Sequence, residues 1–124
     1  MNFEFRSIIK AGDLKDERIT LRATSDLDVG DFILAQSGLV DDGPTAHFFY
    51  TFWFPYKEIK ARDLVVLYTR SGRSGLSKDL ENGNSAHFYY WELNEPIWHT
   101  TDRTAVLLNA PQWTSESTEK LIKF

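Results

Sequence analysis

Cysteine is absent from this chain, which removes disulfides, thiolate metal sites and cysteine nucleophiles, and with them the small extracellular disulfide scaffolds. No uninterrupted apolar stretch reaches the roughly 18 residues of a membrane-spanning helix, and residues 1–13 hold no long apolar core of a secretory leader. A basic excess is missing too: 14 Lys and Arg stand against 18 Asp and Glu, giving a formal charge of -4 and a pI near 5.3. That balance speaks against nucleic-acid binding through overall charge and leaves a local basic patch open. The expectation is a soluble, cytoplasmic protein with no membrane partner.

Aromatic residues are abundant, at 15% of 124 positions, and wide flat side chains suit pleated sheets and the space between two of them. The chain is long enough for one core that needs no staples. Strand signals run along it in order. Phe3, Phe5, Ile8 and Ile9 mark a first strand whose alternation is lost at its end. Residues 17–23 hold the cleanest two-residue period, with Ile19, Leu21 and Ala23 on one side and Arg18, Thr20 and Arg22 on the other. A loop at 25–31 leads to a short strand at 32–36, and Asp41-Asp42-Gly43-Pro44 is a strong turn. The aromatic run 46–54 should stop at Pro55 or lie at an edge, because proline donates no ladder hydrogen bond.

Apolar runs at 64–68 and 105–108 flank a second aromatic run at 87–91. The Gly-, Ser- and Asn-rich stretch 69–85 has no periodicity and is expected to be a long loop. Residues 115–124, with Leu121, Ile122 and Phe124 apolar, suit a turn or two of helix that must dock or fray. Ala46-His47-Phe48-Phe49-Tyr50 and Ala86-His87-Phe88-Tyr89-Tyr90 echo one another, but two copies are too few for a repeat architecture.

The order of these pieces resembles the lamin tail domain, the immunoglobulin-like sandwich of intermediate-filament tails and of bacterial relatives. The resemblance covers about Ile8 to Asn109. It rests on Arg18-Ile19-Thr20-Leu21 before an acidic loop, Phe54-Pro55 followed by Glu58-Ile59-Lys60-Ala61, and the strand 64–68. Its sharpest part is Trp91, Asn94 and Trp98, then Arg103-Thr104-Ala105-Val106-Leu107-Leu108-Asn109. Arg62 stands where the family commonly has glycine, so the turn is expected to do without a positive φ, and Ala110-Pro111 replaces a Gly-containing hairpin after Asn109. Filament-rod heptads are absent. The resemblance implies an all-β, immunoglobulin-like β-sandwich at 1–113, a short C-terminal tail at 114–124, and a binding module rather than an enzyme.

Each chemical motif has a plainer reading beside it. His47, His87 and His99 are a zinc set only if the aromatic strands lie side by side, and their spacing favours structural roles. Glu92 and Glu95 bracket a turn, where an acid/base pair competes with simple solvation. Arg70, Arg73 and Lys78 share a Gly- and Ser-rich segment without phosphate-loop spacing, which leaves contact with a nucleic-acid backbone as the alternative function. Trp53, Trp91, Trp98 and Trp113 suit burial as well as stacking, with Asn94 a local partner for an indole N–H, and Arg103 pairs with Asp102 as a framework residue.

No catalytic residue, metal site or cofactor is assigned. The leading expectation is a non-catalytic module that binds a protein partner, or a second copy of itself, through a sandwich surface. Accessory service to an unidentified hydrolase is a further alternative. Phe49, Trp53, Tyr89, Arg70, Arg73 and Lys78 are the candidate contact residues. His47, Phe49, Thr51 and Trp53 share one side of their strand, as do His87, Tyr89 and Trp91. Which sides face outward depends on the register.

Overall fold

Strict alternation at residues 18–23 makes a central strand, because Ile19, Leu21 and Ala23 are buried together on one face while Arg18 and Arg22 stand on the other. The computed structural model describes residues 1–123. Its strands are β1 (Phe3–Ile9), β2 (Arg18–Ala23), β3 (Leu27–Asp28), β4 (Phe32–Val40), β5 (Gly43–Trp53), β6 (Glu58–Ile59), β7 (Leu64–Tyr68), β8 (Leu76–Asp79), β9 (Ser85–Tyr90) and β10 (Arg103–Asn109). One helical turn, α1 (Thr118–Leu121), follows.

The strands form an all-β sandwich. A five-stranded sheet in the order β1-β2-β7-β9-β8 packs against a three-stranded sheet, β10-β4-β5, with a two-stranded β3-β6 ladder beside them. All pairings are antiparallel except β7 with β9. Aromatic rings bridge the two sheets edge to face: Phe3 meets Phe32 at 5.1 Å, and Phe54 meets Tyr89 at 5.3 Å. The Trp91 indole N–H crosses the gap to the carbonyl of Thr51 at 3.0 Å, and Asn94 is exposed instead of serving it. No side chain accepts from the buried Trp98 indole among the described residues.

Several departures from the expected elements have local causes. The lost alternation in β1 is a register shift between Phe5 and Ser7 that leaves Arg6 unpaired. β5 likewise shifts register at Phe49, so Phe48 and Phe49 are both exposed. Residues 69–85 are not all loop: β8 pairs there with β9, and its four exposed residues carry no periodic signal because neither face is covered. Arg62 takes φ 75° without being glycine, and its N–H donates to the Ala23 carbonyl at 2.7 Å, which holds the left-handed turn in place. The chain leaves the sheet after Asn109, where Ala110 N–H donates to the Asp31 carbonyl. α1 is capped by Ser117 and buries none of its residues; Phe124 lies outside the described residues.

Two buried carboxylates fasten the ends of the sandwich. Glu17 is fully buried and accepts from Gly12 N–H, the Thr69 hydroxyl, Ile97 N–H and Trp98 N–H. Asp63 accepts from Lys60 N–H, Ser85 N–H and His87 Nε2, the last at 2.9 Å. Burial pushes both carboxyls up, but the donors outweigh it and hold each below its ordinary value of 4.5 or 3.8.

A carboxyl depressed in the fold contributes stability that is complete above its ordinary value and disappears as pH falls through the lower folded one. Thermal unfolding followed by circular dichroism should therefore hold its midpoint down to about pH 5 and lose it progressively on further acidification. Glu17→Gln should cost about 2–3 kcal/mol at neutral pH and flatten the acid-side slope, since a neutral amide accepts more weakly and does not titrate.

Candidate partner-binding face

The outward face of the three-stranded sheet leaves apolar side chains uncovered. Register sets one row across it as Leu108 on β10, Ile33 on β4 and Trp53 on β5, and the next as Val106, Ala35 and Thr51. Beyond them lie Phe48 and Phe49. Phe48, Phe49, Trp53, Tyr56, Leu108 and Trp113 are 37–56% exposed, whereas the aromatics of the inner face are nearly all covered. Isolated exposed hydrophobics are ordinary, but a contiguous set on one face is not.

The rings of this face are held in place. Trp53 donates its indole N–H to the Gly30 carbonyl at 2.8 Å, and Trp113 packs edge-on to Trp53 at 4.9 Å. Trp113 in turn donates to the Tyr56 hydroxyl at 2.9 Å. At the other end His47 lies edge-on to Phe49 at 4.3 Å, and the Arg103 guanidinium sits 3.7 Å from the centre of the Phe49 ring while pairing with Asp102. Large apolar area that is already ordered loses little freedom on binding.

β5 adds a second feature, being an eleven-residue edge strand. An edge strand carries unpaired backbone groups that another chain can satisfy. Pro44 blunts one end, and the strand stops two residues before Pro55.

The candidate contact residues divide between surfaces. Phe49 and Trp53 are both exposed on β5, Trp53 on the outward face and Phe49 at the register shift, where it has no paired partner and packs on Arg103. Tyr89, expected among the contact residues, is corrected: it is 1% exposed. β9 pairs with β7 so that Tyr89 stands beside Leu67, which points into the core. Burial, aided by the charge of Asp28, pushes the Tyr89 phenol up to about 12. Arg70, Arg73 and Lys78 lie on the other sheet's side. Arg70 donates to the carbonyls of Lys15 and Ser71 and covers the Tyr68 and Tyr90 rings at 5.0 and 5.1 Å, so its own protein holds it. Arg73 and Lys78 are exposed.

The histidines stand apart, His47 on β5, His87 buried against Asp63, and His99 exposed after Trp98. Among the described residues no three His, Asp or Glu side chains converge as metal ligands would. Glu92 and Glu95 are both exposed, and the Glu95 carboxylate accepts from the Tyr50 hydroxyl at a long 3.5 Å. Sequence reasoning missed Tyr56 and Leu108. Tyr56 follows a proline outside any strand, and Leu108 belongs to a run whose two faces differ only by register. No helix of the described residues is long and apolar enough to cross a membrane. No family model matches the chain, and no curated protein does either.

Gly30 is the footing of this face. A Cβ there would lie 2.3 Å from the Tyr56 ring and 2.7 Å from the Tyr56 Cα, and backbone cannot swing away as a flexible side chain does. Gly30→Ala should cost about 1–3 kcal/mol in a denaturant titration. In two-dimensional NMR it should shift the indole N–H signals of Trp53 and Trp113 and leave that of Trp91 in place.

Proposed function

We propose that this chain is a non-catalytic interaction module of the lamin-tail-like, immunoglobulin type, which binds a protein partner through the outward face of β10, β4 and β5. One observation carries the reading: two groups of exposed, pre-ordered aromatic side chains, Trp53 with Tyr56 and Trp113 and, further along, Phe49 with Arg103, on an open edge strand and the segments beside it. Aromatic anchors ringed by polar groups are what protein interfaces concentrate at their centres, and Arg103, Asp102 and Thr51 supply part of such a rim. The order of strand motifs around Trp91, Trp98 and 103–109 supports the family part of the proposal. The cysteine-free composition suits a cytoplasmic site of action.

The experiment is capture from source-cell lysate with the tagged chain and with a Phe49→Ser/Trp53→Ser variant, after nuclease treatment and at moderate salt. A specific protein retained by the wild type and weakened at least tenfold by the variant is expected, since two central anchors are each worth about 2 kcal/mol or more. Equal capture by both forms, or capture that vanishes with nuclease, would sink the reading. Sedimentation equilibrium of the purified chain separates the homodimer version, which should dissociate in the same variant.

A further inference from the structure

The opposite side of the molecule has a different chemistry. The outward face of the five-stranded sheet can be laid out from its register as three rows. The middle row is Ser7, Thr20, Val66, Phe88 and Leu76. One flanking row carries Ile9, Arg18, Tyr68 and Tyr90; the other carries Glu4, Arg22, Leu64, Ala86 and Lys78. The centre of the middle row is recessed, with Thr20 at 9% and Val66 at 8% exposure on a face that has no layer over it, while Ser7 and Leu76 at its ends are exposed. Around it lies a groove of about 350 Å³ whose walls include Arg6, Arg18, Tyr68 and Phe88.

Cations border this floor on both sides: Arg18 on one, Arg22 and Lys78 on the other, and Arg6 at the bulge of β1. None of the four makes an ion pair among the described residues, although the protein as a whole is negative. Glu4, opposite Arg22, is the carboxylate of the grid. Tyr68 and Tyr90 are stacked 10° from parallel and capped by Arg70, which stiffens the wall and leaves Phe88 as the half-exposed ring beside the floor.

We propose that this groove binds single-stranded nucleic acid of either sugar, with bases against the Val66–Phe88 floor and phosphates on Arg6, Arg18, Arg22 and Lys78. The charge pattern calls for a polyanion, and the floor decides which one. A peptide laid across a sheet face leaves its backbone N–H and C=O groups against apolar side chains with no partner. A base presents a π-face that needs none, and its charge sits on a backbone that can follow the cationic borders. A duplex has no free base face to offer. Ser7 and Thr20, the hydroxyls of the floor, are bonded to each other at 2.6 Å, which reduces their capacity to distinguish ribose from deoxyribose. Five strands at about 4.8 Å spacing give a track of roughly 19 Å, enough for about four nucleotides. This site is separate from the face proposed for a protein partner.

The test is fluorescence anisotropy with labelled dT12 and rU12, a twelve-base-pair duplex and a poly-glutamate peptide, at a series of salt concentrations. Both single strands should bind within about threefold of one another, with log affinity falling against log salt at a slope of about -3 for four phosphates. The duplex and the peptide should bind at least tenfold more weakly. Arg18→Gln/Arg22→Gln should lower single-strand affinity at least tenfold, and Phe88→Leu, which keeps the apolar bulk and removes the ring, should lower it several-fold. Should either variant melt early, Arg6→Gln/Lys78→Gln changes only exposed side chains and should give the same loss. Phe49→Ser/Trp53→Ser should bind like the wild type. No measurable single-strand binding, equal binding of duplex or poly-glutamate, or indifference to the arginine variants would each overturn the proposal.

Discussion

One buried carboxylate holds together the end of the sandwich that strands do not close. Glu17 lies just ahead of β2, and its four donors come from the β1–β2 turn, the segment after β7 and the stretch before Trp98. Its backbone joins in, since the Glu17 carbonyl accepts from Thr69 N–H at 3.1 Å. The adjacent β1–β2 turn and two segments 52 and 80 to 81 residues away in sequence thus meet on one side chain. Leaving such a charge in the interior without donors would cost several kcal/mol, so those loops cannot move independently of it. Ile97 and Trp98, fixed by this carboxylate, cover the same end of the core, and Trp98 packs on Trp91 at 6.1 Å.

Asp63 does the corresponding work at the other end, tying the turn after β6 to the start of β9 through Ser85 and His87. Asp26 and Asp28 are used likewise, accepting from Ala61 N–H and from Gly30 and Lys57 N–H. The Asp28 contacts position the turn that carries Gly30, and so the Trp53, Tyr56 and Trp113 cluster on the outer face. The aromatic patch therefore depends on an aspartate that bonds to the backbone beside it.

Legibility in the sequence followed how local each signal was. β2, β7 and β10 were readable because periodicity or a bounded apolar run lies within each segment. Glu17 and Asp63 were not, because an acidic residue next to a strand looks the same whether it faces water or donors brought in from distant parts of the chain. Tyr89 and Trp53 sit in near-identical aromatic runs, yet one is core and the other surface. The difference lies in the partners: β9 is covered on its inner face by the second sheet, whereas Trp53 stands on the uncovered side of an edge strand. β8 left no trace, because a strand exposed on both faces needs no alternation. The all-β class could be read in advance; the two outward faces could not, since each is a product of register.

The charge balance illustrates the same separation between composition and surface. A count of -4 invites the picture of an acidic protein, but many of its carboxylates are engaged at turns and loop ends, where they accept backbone N–H groups. The alternation of β2 did the opposite with its cations. Placing Ile19, Leu21 and Ala23 in the core forced Arg18 and Arg22 onto the far face, where the neighbouring strands contribute chiefly apolar and aromatic side chains. A negative total and a cationic sheet face are therefore consistent: many of the acids sit at turns and loop ends, and a period of two gathers arginines onto one side.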